Sequence, residues 1–191
     1  MTGFTGELPP GEFNLARYCL ASSARHSPDK IALTIADGTT YQHMTYSKIE
    51  DVVLNLANAF NLLGFDPGDR VFIRMGNSFD YAAVFFGANA AGLVPIAASS
   101  MLSVQEVDFM LQDSGAVAVL HDGKLDLPAL PDTCRLLGPG DIAAFSTGVR
   151  GNYANTKARS PAYMVYTSGT SGVPKGVLHA QRAVWGRRPM Y

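Results

Sequence analysis

Short runs of branched apolar residues alternate along this chain with longer segments in which apolar residues recur every three or four positions. The strand-like runs lie at 31–35, 71–73, 93–97, 116–120 and 163–166, and the helix-like segments at 13–25, 45–63, 79–91 and 103–113. A short apolar run between turn residues indicates a strand, whereas a period near 3.6 indicates a helix. The alternation predicts an α/β fold with a mostly parallel, doubly wound sheet.

Turn and cap residues divide these segments further. Thr45 and Ser103 are placed to cap helices, and the Asp37-Gly38 turn predicts a second strand over 40–44. We expect an α/β subdomain with an N-terminal arm at 1–120 and an irregular connection at 121–161, in which Gly138 to Ala143 is a simple turn. A strand, a loop and the start of a helix from Ala180 to Arg188 complete the chain at 162–191.

Composition excludes several classes of protein. The formal net charge is -1, which disfavours a nucleic-acid binder, because such a protein needs a basic face. Cys19 and Cys134 lack metal-ligand spacing, so no metal site is expected. The apolar stretch 81–98 contains Asn89 and Pro95 and is typical of a buried helix and strand, not of a membrane span. No signal pattern opens the chain, so a cytoplasmic location is predicted.

The segment from Thr167 to Gly176 carries the chemistry, because it holds four hydroxyl residues, three glycines and one lysine. Glycines let backbone N–H groups turn toward an anion, and hydroxyls add neutral donors to phosphate oxygens. Lys175 supplies a positive charge. The candidate phosphate-binding residues are Thr167, Ser168, Gly169, Thr170, Ser171, Gly172 and Lys175. The candidate that follows them is His179.

Two other interpretations of this segment are weaker. A flexible Ser/Gly linker needs neither an apolar strand before it nor a lysine at a fixed offset. A Walker A loop requires Gly-Lys followed by Ser or Thr, whereas Pro174 precedes Lys175 and Gly176 follows it. The segment therefore predicts a phosphate-binding loop of another type.

The run from Tyr166 to Val177, YTSGTSGVPKGV, resembles the signature of the adenylate-forming (AMP-binding) superfamily. That superfamily comprises acyl- and aryl-CoA ligases, luciferases and peptide-synthetase adenylation domains. Softer matches include Gly68-Asp69-Arg70-Val71 and Ala91-Gly92-Leu93-Val94-Pro95, and the stretch 101–114 is similar to benzoate–CoA ligases. Ser99-Ser100 departs from the Asn-Thr common in the aryl branch.

The resemblance implies an N-terminal portion of an ATP-dependent, AMP-forming acid–CoA ligase. A carboxylate would attack the α-phosphorus of ATP, and the CoA thiol would then displace AMP. In the family, the Mg²⁺ ligands, the acid pocket and a catalytic lysine come later than Tyr191, so the isolated chain is expected to be inactive.

Two alternatives remain open from the sequence. One is a non-catalytic remnant that self-associates through open sheet edges. A homo-oligomer is expected whether the chain is such a remnant or part of a ligase. The other is an adenylation domain that loads a carrier protein. The residues do not distinguish an aryl acid from a fatty acid.

Overall fold

The computed structural model describes residues 8–168 and 173–190. The helices of this part are α1 (Leu15–His26), α2 (Tyr46–Leu62), α3 (Phe79–Ala90), α4 (Val104–Ser114) and α5 (Pro139–Ser146). The strands are β1 (Ile31–Asp37), β2 (Thr40–Thr45), β3 (Arg70–Arg74), β4 (Val94–Ala97), β5 (Ala118–His121), β6 (Arg135–Leu137), β7 (Pro161–Ser168) and β8 (Pro174–Ala180).

A six-stranded sheet in the order β6-β5-β3-β4-β7-β8 organises the molecule. All neighbours run parallel except β7 and β8, which are antiparallel. This confirms the predicted α/β class with a mostly parallel sheet. The predicted hairpin β1–β2 forms a separate two-stranded sheet, whose turn is closed by Gly38 at a φ of 59°.

Both faces of the large sheet are covered, as a doubly wound fold requires. In β3, Val71 and Ile73 point into a core shared with helices α1, α2, α3 and α5, while Phe72 between them points the other way. Phe72 joins the second core, which α4 covers with residues such as Val107 and Leu111. Because side chains alternate along a strand, one apolar run serves both cores.

Side-chain caps fix the helices that the sequence predicted. The hydroxyls of Thr45, Ser78 and Ser103 each accept a backbone N–H in the first turn of α2, α3 and α4. Ser103 and Glu106 form a reciprocal capping box, and Gly115 ends α4 in the left-handed conformation at a φ of 61°. The caps of α3 and α4 set where the loops after β3 and β4 end, at the carboxyl ends of these strands.

Two sequence-based predictions were wrong in detail. The segment from Gly138 to Ala143 is not a simple turn but the start of α5, because Pro139 suits the first helical turn, where its missing N–H costs nothing. The predicted helix from Ala180 to Arg188 is instead two 3₁₀ segments, Gln181–Ala183 and Trp185–Met190.

Buried Gln181 accounts for the first of these 3₁₀ turns. Its side chain accepts the N–H of Leu15 at 2.7 Å and donates to the carbonyl of Pro161 at 3.0 Å. These bonds hold the chain after β8 against α1 and the start of β7.

Strands from all three predicted segments join the same sheet. The sheet therefore does not mark where one segment ends and the next begins. The boundaries 1–120, 121–161 and 162–191 stay a prediction. No helix in the described part of the chain is both long and apolar enough to cross a bilayer.

Candidate phosphate-binding site

The predicted loop includes the last two residues of β7 and the first three of β8, and these two strands form an antiparallel hairpin. Thr167 pairs with Lys175, and Ser168 pairs with Pro174. The prediction placed all of 167–176 in a loop, but its two ends are strands, because antiparallel pairing satisfies their backbone groups in the sheet ladder. Four of the predicted residues, Gly169, Thr170, Ser171 and Gly172, lie outside the described residues, as does the side chain of Ser168.

Thr167 and Lys175 meet across the hairpin. Both side chains are exposed, and residues directly opposite each other in an antiparallel pair project from the same face, with Cβ atoms roughly 5 Å apart. Within residues 8–168 and 173–190, no carboxylate forms an ion pair with Lys175. An exposed ammonium group beside a hydroxyl is suited to an oxyanion.

The position of the hairpin in the sheet favours ligand binding. β7 runs parallel to β4. Its last residue, Ser168, therefore lies at the same end of the sheet as the carboxyl ends of β3, β4 and β5. Ligands of open parallel sheets bind outside the carboxyl ends of the strands. Pro174, the first residue of β8, lies beside Ser168 at this end of the sheet.

His179 lies apart from Lys175. It is on β8, opposite Tyr163, and the two rings stack with centroids 4.5 Å apart and an interplanar angle of 11°. It is four positions along the chain from Lys175, which is about 13 Å in an extended strand. The structure therefore gives His179 a partner in the sheet, and its role as a site residue stays a prediction.

Sequence reasoning missed the contact that joins the hairpin to α4. The hydroxyl of Tyr166 donates to the carboxylate of Asp113, at the end of α4, with 2.6 Å between the oxygens. Partial burial, together with the bond and the charge of Asp113, raises the pKa of Tyr166. The alternation of side chains along a strand was the one signal of this contact in the sequence. It places Tyr166 on the same face as Met164, whose side chain is in the core under α4.

A cleft of about 240 Å³ opens at the same edge, where β3 and β5 end. Asp80 and Asp122 both line it, and Asp122 accepts the N–H of Gly76 at 2.8 Å and of Lys124 at 2.9 Å. Partial burial opposes ionisation, but these bonds outweigh it and lower the pKa of Asp122. With both oxygens so occupied, Asp122 holds two loops together.

The described residues do not fit a metal centre. In 8–168 and 173–190, no group of three or more His, Cys, Asp or Glu side chains is placed to hold a metal ion. Since Mg²⁺ at a nucleotide site is held by one or two carboxylates together with the phosphates of the substrate, the ligands of the Mg²⁺ that the resemblance implies stay a prediction.

Comparison with known proteins decides the family. Residues 20–187 match the profile of the AMP-binding enzymes. The chain belongs to the AMP-binding enzyme family. The sequence-based assignment is thereby confirmed, and the hairpin lies inside the matched region.

Two curated relatives of this AMP-binding chain are acid–CoA ligases. It is 31% identical over 159 residues to a long-chain-fatty-acid–CoA ligase of Mycobacterium tuberculosis, an alignment that covers 76% of this chain and 31% of that protein. It is 28% identical over 154 residues to a 4-hydroxybenzoate–CoA/benzoate–CoA ligase of Rhodopseudomonas palustris, which covers 71% and 28% respectively. The chain thus spans about a third of the length of these relatives.

A solved structure with the same fold is the fatty acyl CoA synthetase of Mycobacterium tuberculosis. It superposes with a TM-score of 0.76 at 26% identity, over 90% of this chain and 36% of that one. The likeness supports the assignment of this sheet to the fold of the adenylate-forming enzymes.

Proposed function

We propose that this chain forms the triphosphate-binding part of an ATP-dependent, AMP-forming acid–CoA ligase. The observation that carries the proposal is the pairing of exposed Thr167 with exposed Lys175 at the carboxyl edge of a parallel sheet, inside the matched family region. A polyphosphate chain needs a cation and neutral donors, and these two residues supply one of each.

In the proposed reaction, an oxygen of the carboxylate attacks the α-phosphorus of ATP, and the bond from that phosphorus to the bridging oxygen of pyrophosphate breaks. The products are an acyl-adenylate and pyrophosphate. The thiolate of CoA then attacks the acyl carbon, forms the thioester and expels AMP. Negative charge grows on the pyrophosphate in the first step, and the ammonium group of Lys175 would stabilise it there.

Each hairpin residue has a distinct part in this proposal. The hydroxyls of Thr167, Ser168, Thr170 and Ser171 would donate to β- and γ-phosphate oxygens, and Gly169 and Gly172 would leave backbone N–H groups open to them. His179 stays a candidate only, since its ring stacks on Tyr163.

The co-substrates follow from the family and from the relatives' names. ATP is proposed from the AMP-binding family, and a fatty or aromatic acid and CoA from the two ligases. CoA is proposed as the acceptor because both names specify it, and a carrier protein, which the name of a third relative specifies, is the alternative acceptor. Transfer of the acyl group by the parent protein to a carrier protein but not to CoA would contradict this choice.

Replacing Lys175 tests the proposal directly. We expect Lys175→Gln to weaken binding of ATP and of inorganic tripolyphosphate by the 191-residue protein at least tenfold, because one charge-assisted contact contributes about 1.5–3 kcal/mol. Isothermal titration calorimetry measures this.

A matched control is Lys157→Gln. Lys157 is also exposed, and it precedes β7 at the opposite end of the strand. Equal affinity of the wild type and Lys175→Gln for tripolyphosphate would refute the proposed role of the hairpin, and so would an equal loss in Lys157→Gln.

A further inference from the structure

The side chain of Tyr166 connects the hairpin to a helix on the far side of the sheet's second core. Its hydroxyl lies 2.6 Å from a carboxylate oxygen of Asp113 and 3.4 Å from the carbonyl oxygen of Met110, both in the last two turns of α4. A short bond from a hydroxyl to an ionised carboxylate is a strong one. Since α4 is anchored by its capping box and by its buried apolar face, its end is a firm point of attachment.

The ring of the same tyrosine supports the backbone of β8 beside Lys175. Tyr166 pairs with Gly176 across the hairpin. A Cβ built on Gly176 would lie 3.2 Å from Cζ of Tyr166 and 2.9 Å from Sδ of Met164. Gly176 therefore lets β8 lie close to this ring, and a larger residue would require Met164 or Tyr166 to shift.

These contacts form one continuous connection. Asp113 of α4 accepts a hydrogen bond from the hydroxyl of Tyr166, and the ring of Tyr166 lies against Gly176. Gly176 directly follows Lys175 in the sequence. Thr167, the partner of Lys175, directly follows Tyr166 on the other strand. Tyr166 is thus next to both groups that face the proposed phosphate.

We propose that Tyr166 is a positioning residue for triphosphate binding, which Asp113 holds in place and which sets Lys175 against Thr167. The inference rests on the proposed function of the hairpin and adds to it a residue that touches no phosphate. Small displacements of a binding group have large effects, because preorganised donors act only at the correct distance from the charge.

The test replaces the hydroxyl and keeps the ring. Tyr166→Phe is expected to weaken tripolyphosphate binding by the 191-residue protein about five- to tenfold. This loss of affinity equals the contribution of one hydrogen bond, about 1–1.5 kcal/mol. The double variant Asp113→Asn, Tyr166→Phe is expected to bind no more weakly than Tyr166→Phe alone, since both changes break the same bond.

Tyr163→Phe is the matched control. Tyr163 lies on the same strand and on the opposite face, where it stacks on His179. It loses the same atom from the same residue type without touching the connection to α4, and we expect its affinity to stay within twofold of the wild type.

A second measurement separates positioning from general stability. In ¹H–¹⁵N correlation spectra of the protein without ligand, Asp113→Ala, which removes the acceptor and leaves Tyr166 itself unchanged, is expected to shift the amide signals of Thr167, Lys175 and Gly176, while Tyr163→Phe leaves them in place. A merely structural role would lower the melting temperature and leave the hairpin signals of the folded protein unchanged. Unchanged signals would overturn the proposal whatever the calorimetry shows.

The two proposals fail in different ways. Loss of tripolyphosphate binding in Lys175→Gln with full binding in Tyr166→Phe would leave the hairpin's function standing and refute the positioning role. Full binding in Lys175→Gln would refute the function itself, and the amide signals would still decide whether Tyr166 positions the hairpin.

Discussion

The guanidinium of Arg74 is 3% exposed and lies at the carboxyl end of β3, two strands from the hairpin. It donates to the carbonyl oxygens of Ser99 at 3.0 Å, Leu102 at 2.9 Å and Asp126 at 3.3 Å. In the described part of the chain no carboxylate forms an ion pair with it. A buried cation held by carbonyl dipoles alone joins the loop after β4 to the loop after β5.

Arg74→Met is expected to lower the free energy of unfolding by about 1–3 kcal/mol. Methionine keeps the apolar stem but leaves three carbonyls without their donor, and each unpaired group has a desolvation cost. Urea unfolding followed by circular dichroism measures the change. Arg135→Met is the control, because exposed Arg135 donates to the carbonyl of Leu63 and lies 5.6 Å from the centre of the Phe65 ring, contacts at the surface whose loss should cost less than about 1 kcal/mol. A loss at Arg74 no larger than this control would contradict the argument.

Residue types could be assigned to the candidate site from the sequence, but their pairing could not. The hydroxyls, the glycines and Lys175 were recognised because their chemistry suits phosphate. The spacing of these residues does not show where the turn lies, and so Thr167 and Lys175 were both placed in a loop. Asp113 is far from the hairpin in sequence, and only the folded sheet brings it to Tyr166.

Among the secondary-structure elements, α2 and α3 approach each other at Gly87. A Cβ built there would lie 2.8 Å from Cβ of Leu56 and 3.4 Å from the carbonyl oxygen of Val53. Both neighbours belong to α2, and Leu56 is fully buried. Glycine at this point of α3 therefore permits an approach that any side chain would prevent.

Gly87→Ala is expected to destabilise the protein by about 1–3 kcal/mol, because overpacking outweighs the helix propensity that alanine gains, which is about 1 kcal/mol. Gly140→Ala is the matched control. Gly140 is in α5, and a Cβ built there meets no atom within 4 Å, so this change should leave stability equal or slightly higher. Thermal unfolding of both variants measures the difference. Equal melting temperatures would show that α2 moves away without loss.

Most elements were predictable because burial imposes a period on the sequence. β3, β4 and β5 are buried on both faces and appear as continuous apolar runs, and α2 and α4 each show one apolar stripe. β8 lacks such a signal, since Lys175, Gly176, Val177 and Leu178 are all exposed. Its strand conformation comes from pairing with β7 and not from its own pattern, which is why its first three residues were predicted as part of a loop and Ala180 was predicted to begin a helix.

For the molecule as a whole, the large sheet ends in two different ways. β6 is short, at three residues, and α5 packs beside it. β8 is seven residues long and pairs only with β7 among the described strands. Val177 is 41% exposed and Leu178 is 46% exposed, on opposite faces of this strand. A long edge strand with apolar groups on both faces invites pairing with another strand.

We therefore expect the 191-residue protein to self-associate as its concentration rises, through antiparallel pairing of β8 with β8 of a second copy. Sedimentation velocity measures this, and Val177→Lys should shift the equilibrium toward the monomer, because a charge on each copy would face its like across the new pair.

Val149→Lys is the control, since Val149 is 76% exposed and lies in the connection between α5 and β7. A wild-type protein that stays monomeric at high concentration would contradict the expectation, and equal effects of both lysines would place the contact elsewhere. Because Lys175 lies on the same strand and face as Val177, association through β8 would also compete with tripolyphosphate, and added ligand should then favour the monomer.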